Sequence, residues 1–121
     1  MKKGGIIFFK TKKLDQIKNF YIENFDMEIF LDQKKCVILK YENLLLGFCD
    51  SEEVENSSTI TFFYESKNEV EKMYEKLKKL VTVDLKINPY FKIYHFYIKD
   101  PEGRNVEIQH FLDKISEVCL I

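Results

Sequence analysis

Residues 94–99 and 105–111 alternate apolar and polar side chains with the two-residue period of a β-strand. Between them lies the sequence Asp-Pro-Glu-Gly at positions 100–103. The proline presets φ at the first corner, and the glycine can take the left-handed conformation that closes a short hairpin loop. The pattern therefore predicts a β-hairpin whose loop is residues 101–103.

The predicted register of this hairpin sorts its side chains onto two faces. It pairs Tyr97 with Glu107 and His95 with Gln109, so these four side chains share one polar face. The other face is predicted to be apolar and carries Phe96, Ile98, Val106 and Ile108. A polar strand face is either solvated surface or the floor of a binding site, and the hairpin by itself leaves that choice open.

Two further segments repeat their apolar positions every three or four residues, which predicts amphipathic helices. One apolar stripe runs through residues 14–25, after the apolar run 6–9. The other runs through residues 70–80, after the strand-like run 59–62. The second helix is predicted to begin at Ser-Lys-Asn-Glu, residues 66–69, a capping-box pattern that satisfies free backbone N–H groups.

The two strand–helix segments are copies of one another. A shift of 53 positions lays Ile6 on Thr59 and Tyr21 on Tyr74. Such self-similarity at a fixed offset indicates two copies of one structural unit. Three strand-like segments follow each helix, at 27–31, 36–41 and 44–49 in the first copy and at 81–87, 91–99 and 105–111 in the second.

The sequence therefore predicts an α+β fold made of two tandem βαβββ modules. We expect curved mixed sheets that form a concave groove, with the helices on the outer face. The boundaries are 4–50 for the first module, 51–58 for a polar linker, 59–112 for the second module and 113–121 for a C-terminal tail, all within a single domain.

Composition excludes several classes of partner. The formal net charge is −1, from 19 basic and 20 acidic residues, so no electrostatic footprint for nucleic acid is present. No apolar run is long enough to span a bilayer, so we expect no membrane association. The apolar run at 6–9 is too short for a signal-peptide core and is interpreted as the first strand.

The three cysteines, Cys36, Cys49 and Cys119, are an odd number without paired spacing. We therefore expect no disulfide framework and a reducing, cytoplasmic location. Cys36 and Cys49 lie in strand-like segments and are interpreted as small core residues rather than nucleophiles.

The tandem arrangement resembles the vicinal oxygen chelate superfamily, which includes glyoxalases, bleomycin-resistance proteins and extradiol dioxygenases. Phe20-Tyr21 resembles the Phe-Tyr pair in the family's first helix, and residues 100–107 resemble its Asp-Pro-Glu-Gly-Asn-x-Val-Glu ending. The resemblance covers essentially the whole chain. It implies a homodimer and, in metal-dependent members, four ligands from four strands that leave room for a substrate's adjacent oxygens.

Carried over by position, the family's metal site is incomplete here. The last-strand carboxylate is kept as Glu107, but the first-strand ligand falls on Ile6 and its repeat mate on Thr59. The strand 44–49 offers neither carboxylate nor imidazole. A catalytic transition metal is usually held by about three or four protein ligands, so we expect no metal cofactor. The alternative is a two-ligand site of His95 and Glu107 for zinc, nickel, manganese or iron.

The candidate ligand-binding residues surround Glu107 on the predicted open faces of the strands: His95, Tyr97, Gln109, Thr59, Thr61, Phe8 and Phe63. The aromatic side chains, together with Phe91, suit a flat or apolar organic ligand, although such stripes are more often core. His95 and Tyr97 have an equally good structural interpretation as polar side chains bonded to Gln109 and Glu107. The second histidine, His110, has the opposite parity to Glu107 and is not a site candidate.

Three functions fit these residues. The first is a metal-free protein, similar to bleomycin-resistance proteins, that binds a small organic molecule in the groove. The second is a divalent-metal-dependent lyase, isomerase or dioxygenase in which Glu107 is the catalytic residue, as metal ligand or general base. The third is a dimeric scaffold with a vestigial groove. Whether the protein is an enzyme stays open.

Overall fold

Each half of the chain folds as one helix packed on a four-stranded sheet, in the computed structural model, which describes residues 3–114. Within that range, the first unit is residues 3–56 and the second is residues 57–114, so the boundary falls inside the predicted linker. Most of the predicted tail 113–121, including Cys119, lies outside the described residues.

The first unit is a βαβββ module. Its elements are β1 (Ile7–Thr11), α1 (Leu14–Phe25), β2 (Glu28–Asp32), β3 (Cys36–Tyr41) and β4 (Leu44–Asp50). The strand order is β1-β4-β3-β2, with β1 parallel to β4 and the other pairs antiparallel. Helix α1 covers one sheet face, where Tyr21 is fully buried and its ring stacks on Phe48 with 5.2 Å between centroids.

The second unit repeats this arrangement. Its elements are β5 (Thr59–Phe63), α2 (Lys67–Leu77), a 3-10 turn (Lys78–Leu80), β6 (Val81–Asn88), β7 (Ile93–Lys99) and β8 (Asn105–Phe111), in the strand order β5-β8-β7-β6. Ser66 caps α2, since its hydroxyl accepts a hydrogen bond from the Glu69 backbone N–H at 3.2 Å. The predicted α+β class with two tandem βαβββ modules is confirmed.

The β7–β8 hairpin has the predicted register. Tyr97 pairs with Glu107 and His95 with Gln109, while Gly103 takes a φ of 88° in the loop. The predicted apolar face is buried against the helix side of the sheet, because its four residues have no solvent exposure: Phe96, Ile98, Val106 and Ile108.

Buried charges fix the hairpin loop. The Asp100 carboxylate accepts hydrogen bonds from the backbone N–H groups of Glu102 and Arg104, at 2.9 and 3.0 Å. The fully buried Arg104 guanidinium donates back to Asp100 at 3.2 Å and to Glu102 at 3.0 Å. A charge removed from water is stable only when it is paired and hydrogen-bonded, and this network supplies both conditions. It fixes the start of β8 and hence the position of Glu107.

The expectation about the cysteines was wrong. Cys36 and Cys49 form a disulfide across β3 and β4, with 4.0 Å between their Cα atoms. The antiparallel register places the two residues directly opposite each other, which brings their sulfur atoms within bonding distance. Neither residue is fully buried, so they are not simple core residues. The cysteine argument for a reducing compartment therefore no longer holds.

Neither helix within residues 3–114 has the length and hydrophobicity that crossing a bilayer requires.

Candidate functional site

The polar side chains of the hairpin border a cavity on the sheet face opposite α2. His95, Tyr97, Glu107 and Gln109 all line it, as the alternation along β7 and β8 requires. The cavity has a volume of about 400 Å³. Its remaining lining residues are Asn88, Phe91, Ile93 and Phe111.

Glu107 is the centre of a buried hydrogen-bond network. Glu107 lies in β8, and the residue is only 8% exposed. One carboxylate oxygen accepts a hydrogen bond from the Thr61 hydroxyl at 2.8 Å, and Thr61 is its partner across the parallel β5–β8 ladder. The other oxygen lies 2.6 Å from His95 Nδ1. Both oxygens are therefore engaged within the protein.

His95 presents its two ring nitrogens to different surroundings. The residue is 4% exposed, and Nδ1 faces Glu107. Because a carboxylate accepts hydrogen bonds, we assign the Nδ1 proton to His95, which leaves Nε2 with a lone pair in the neutral ring. Nε2 is buried and has no hydrogen-bond partner among residues 3–114. His95 Nε2 is therefore a hydrogen-bond acceptor that residues 3–114 leave unpaired.

Tyr97 adds a hydroxyl next to the same carboxylate. Removal from water, the negative charge of Glu107 and a hydrogen bond to Glu107 all raise the pKa of Tyr97 above its ordinary value of 10.0. The phenol therefore stays protonated at neutral pH and can donate a hydrogen bond. Its ring also packs edge-on against His95, with 5.3 Å between centroids.

The other predicted ligand-binding residues lie at different places. Thr61 contacts Glu107 directly. Phe63 packs against the cavity residue Phe111, with 5.7 Å between ring centroids. Thr59 is exposed at the end of β5, opposite Asn105. Phe8 lies on β1 of the first unit, paired with Gly47, and does not line this cavity.

Sequence reasoning missed three cavity residues, Asn88, Ile93 and Phe111. Ile93 and Phe111 continue the alternation that carries His95 and Gln109, so following the period to the strand ends would have found them. Asn88 lies on β6, whose pairing with β7 contains register shifts that the sequence pattern does not show. His110 lies outside the cavity, as predicted, and its Nδ1 is 2.9 Å from the Tyr64 carbonyl oxygen.

The donor atoms do not fit a divalent-metal site. Among residues 3–114, no group of three or more His, Cys, Asp or Glu side chains is placed to hold a metal ion. In the first unit, Gly47 occupies the ladder position that Glu107 occupies in the second, and the ring of Phe8 lies over it. The His95–Glu107 pair alone supplies fewer donors than such sites use.

No protein-family model matches the sequence, and no curated protein matches it. Solved structures do. A lactoylglutathione lyase from Agrobacterium tumefaciens is 21% identical, with a TM-score of 0.73 over 87% of this chain and 90% of that one. A glyoxalase/bleomycin resistance protein/dioxygenase family enzyme from Burkholderia phytofirmans is 16% identical, with a TM-score of 0.77 over 88% and 97%.

A third similar structure is an integron cassette protein from the mobile metagenome of the Halifax Harbour sewage outfall. It is 23% identical, with a TM-score of 0.76 over 92% of this chain and all of that one. At these identities the likeness concerns the fold. The chain therefore has the fold of the glyoxalase/bleomycin resistance protein/dioxygenase structures, as its resemblance to the vicinal oxygen chelate superfamily implied.

Proposed function

We propose that the second module binds a small organic molecule in the cavity beside Glu107, without a metal ion. The observation that carries this proposal is the buried His95–Glu107 pair, which borders a cavity instead of a packed interior. Burying polar groups costs free energy unless each is hydrogen-bonded. The pair leaves one such atom, His95 Nε2, without a partner within residues 3–114, and a ligand would complete it.

The walls of the cavity support an organic ligand. Its volume of about 400 Å³ is within the range of small-molecule sites, which are mostly apolar with a few placed polar groups. Phe91, Phe111 and Ile93 supply apolar surface, while Gln109 adds an amide group that both donates and accepts hydrogen bonds. The Asn88 amide oxygen already accepts hydrogen bonds from the backbone N–H groups of Tyr90 and Phe91, both at 3.0 Å, so Asn88 adds its NH2 group as a donor. Phe91 is 67% exposed, so its ring is available to cover a flat molecule.

A binding experiment tests this proposal. We expect indole, S-lactoylglutathione or bleomycin, titrated into isotope-labelled protein, to shift the resonances of Phe111 and Gln109 saturably. Phe91→Ser removes an exposed wall and should weaken binding without unfolding the protein. Ile7→Ser is the control, because Ile7 is 57% exposed on β1 and does not line the cavity. Shifts confined to other surfaces would contradict the proposal.

The alternative is a divalent-metal-dependent lyase, isomerase or dioxygenase. One observation favours it: metal-bound histidines commonly hydrogen-bond a carboxylate through their other ring nitrogen, as His95 does with Glu107. Calorimetric titration with zinc, nickel and manganese separates the two functions. We expect no binding tighter than the millimolar range in the wild type.

Stoichiometric metal binding that is lost in Glu107→Gln would instead establish the metalloenzyme. Glu53→Gln is the control for that variant, since Glu53 is exposed and pairs only loosely with Lys10 at 3.4 Å. Equal metal binding by both variants would assign the metal to surface carboxylates.

We also expect a homodimer, whereas the cytoplasmic location expected from the sequence loses its support with the Cys36–Cys49 disulfide. The edge strand β2 supports the dimer, because Ile29, Phe30 and Leu31 are each about half exposed on it, and exposed apolar edge strands tend to pair with another chain. Sedimentation of the wild type and of Phe30→Lys tests this expectation. A wild type that sediments as a monomer would contradict it.

A further inference from the structure

We propose that His95 Nε2 is the proton-accepting atom of the cavity, that Glu107 positions it, and that the ligand presents an acidic hydroxyl group to it. This inference rests on the proposed function and narrows the class of ligand. It also moves the central role from Glu107, which the sequence favoured, to the histidine.

The hydrogen bonds of the free protein point to Nε2. The Glu107 oxygens are occupied by the Thr61 hydroxyl and by His95 Nδ1, at 2.8 and 2.6 Å. Both Glu107 oxygens therefore already accept hydrogen bonds from within the protein. Nε2 has no such engagement within the described residues. It lies on the side of the ring away from Nδ1, and in the Nδ1–H tautomer it accepts a hydrogen bond but does not donate one.

The group that complements a lone pair is a donor. An O–H group on a flat apolar molecule satisfies Nε2 while its ring meets Phe91 and Phe111. If the hydroxyl is acidic, its proton passes to Nε2: the O–H bond breaks, its electron pair stays on oxygen, and an N–H bond forms. The resulting imidazolium is 2.6 Å from the Glu107 carboxylate, which offsets its charge.

The charges around His95 are compatible with this transfer. Tyr97, the titratable group beside it on the same face, keeps its proton because burial and the Glu107 charge raise its pKa. On the neighbouring strand β6, the exposed Lys86 is the ladder partner of His95 and adds a positive charge beside the cavity's strands. Glu107 is the positioning residue, since its hydrogen bond to Nδ1 fixes the tautomer and its charge stabilises the imidazolium.

A pair of probes that differ in one group tests the inference. 4-Nitrophenol carries an acidic hydroxyl, and 4-nitroanisole has a methyl group in place of its proton. We expect 4-nitrophenol to bind about tenfold more tightly or better, the usual advantage of a hydrogen bond to a charged group. We also expect the bound probe to show the nitrophenolate absorbance at a pH where the free probe is still neutral.

Two variants assign that absorbance. His95→Gln should lose the nitrophenolate band, because an amide oxygen accepts a hydrogen bond but does not take up the proton. Glu107→Gln keeps the side-chain shape and removes the charge, so it should reduce the band. Equal binding of both probes by the wild type, or a band that persists in His95→Gln, would overturn the inference and leave the cavity's role in binding intact.

Nitrogen NMR of the free wild type provides a measurement that does not depend on variants. We expect a protonated Nδ1 and an unprotonated Nε2 for His95. The opposite tautomer would overturn the inference, and so would failure of both nitro compounds to bind. In that second case, the indole shifts at Phe111 decide separately whether the proposed function survives.

Discussion

The two modules have the same order of strands and differ in the side chains on the open face of the sheet. In the first module, Phe8 of β1 pairs with Gly47 of β4. In the second, Thr61 of β5 pairs with Glu107 of β8 at the same ladder position. A Cβ atom at Gly47 would overlap the Phe8 ring. One module thus covers this position with an aromatic ring, and the other buries a hydrogen-bonded carboxylate there.

The two modules also differ two residues further along the antiparallel ladder. The Cys36–Cys49 disulfide occupies the ladder position that His95 and Gln109 occupy in the second module. A covalent bond replaces two polar side chains, one of which holds a buried acceptor. Duplication has therefore preserved the register while the outward-facing positions diverged. The polar side chains that line the cavity all belong to the second module.

Removing the carboxylate should have the largest effect. Glu107→Ala is expected to lower the free energy of unfolding by about 3–5 kcal/mol, because it removes two hydrogen bonds to a charged group and leaves His95 buried without its partner. Urea denaturation measures the loss. Glu53→Ala is the control, and its exposed ion pair with Lys10 should contribute less than about 1 kcal/mol. Equal losses in the two variants would mean that the second module's network contributes no more than a surface pair.

The disulfide of the first module should contribute somewhat less. It joins residues 13 apart, and closing a loop of that length stabilises a protein by about 3 kcal/mol in the chain-entropy account. We expect reductant to lower the unfolding free energy of the wild type and to have no effect on Cys36→Ser/Cys49→Ser. Thiol titration of the unreduced, denatured protein should find one free cysteine out of three. Three free thiols would contradict the disulfide.

Adding a methyl group at Gly47 tests how the first module covers this ladder position. Gly47→Ala forces the Phe8 ring to move, and because that ring is 47% exposed and can turn toward solvent, we expect a cost of about 1 kcal/mol, the lower end of the range for overpacking. The same change in a Phe8→Ala background should cost almost nothing, which a double-mutant cycle of unfolding free energies reveals. Gly5→Ala is the control, since a Cβ there meets no atom within 4 Å. An equal cost in both backgrounds would show that the ring does not limit position 47.

The sequence specified contacts made within one hairpin better than contacts between distant strands. The loop at 100–103 and the period of two sufficed to pair Tyr97 with Glu107, because a short loop dictates register. The same counting, outward from the Glu42-Asn43 turn, would have placed Cys36 opposite Cys49, so the disulfide had a signal that composition obscured. An odd cysteine count was the wrong guide.

The parallel ladders had no comparable signal. Thr61 meets Glu107 across 46 residues of chain, and no turn fixes the register of that pairing. The same holds for Phe8 and Gly47. The sequence could therefore indicate Glu107 and Thr61 as separate candidates. It could not show that both Glu107 carboxylate oxygens are hydrogen-bonded within the protein. For that reason the open acceptor on His95 emerged only from the structure.

The smallest expected effect concerns Tyr97, whose place in the first module is taken by Ile38. Because its folded pKa is raised above 10.0, Tyr97 contributes stability that is fully present below 10.0 and is lost as pH rises through the folded value. We expect the unfolding free energy to fall more steeply with alkaline pH in the wild type than in Tyr97→Phe. The raised pKa values of Tyr74 and Tyr94 cancel in this difference.

Repeating the measurement in a Glu107→Gln background identifies the cause. Burial is the largest influence on the Tyr97 pKa and remains in that background, while the charge of Glu107 is gone. The difference in slope that the Tyr97→Phe substitution produces should therefore shrink without vanishing. An unchanged difference would mean that burial causes the whole rise in the Tyr97 pKa. The charge of Glu107 would then have no effect on Tyr97, and the open faces of the two modules would differ in polarity alone.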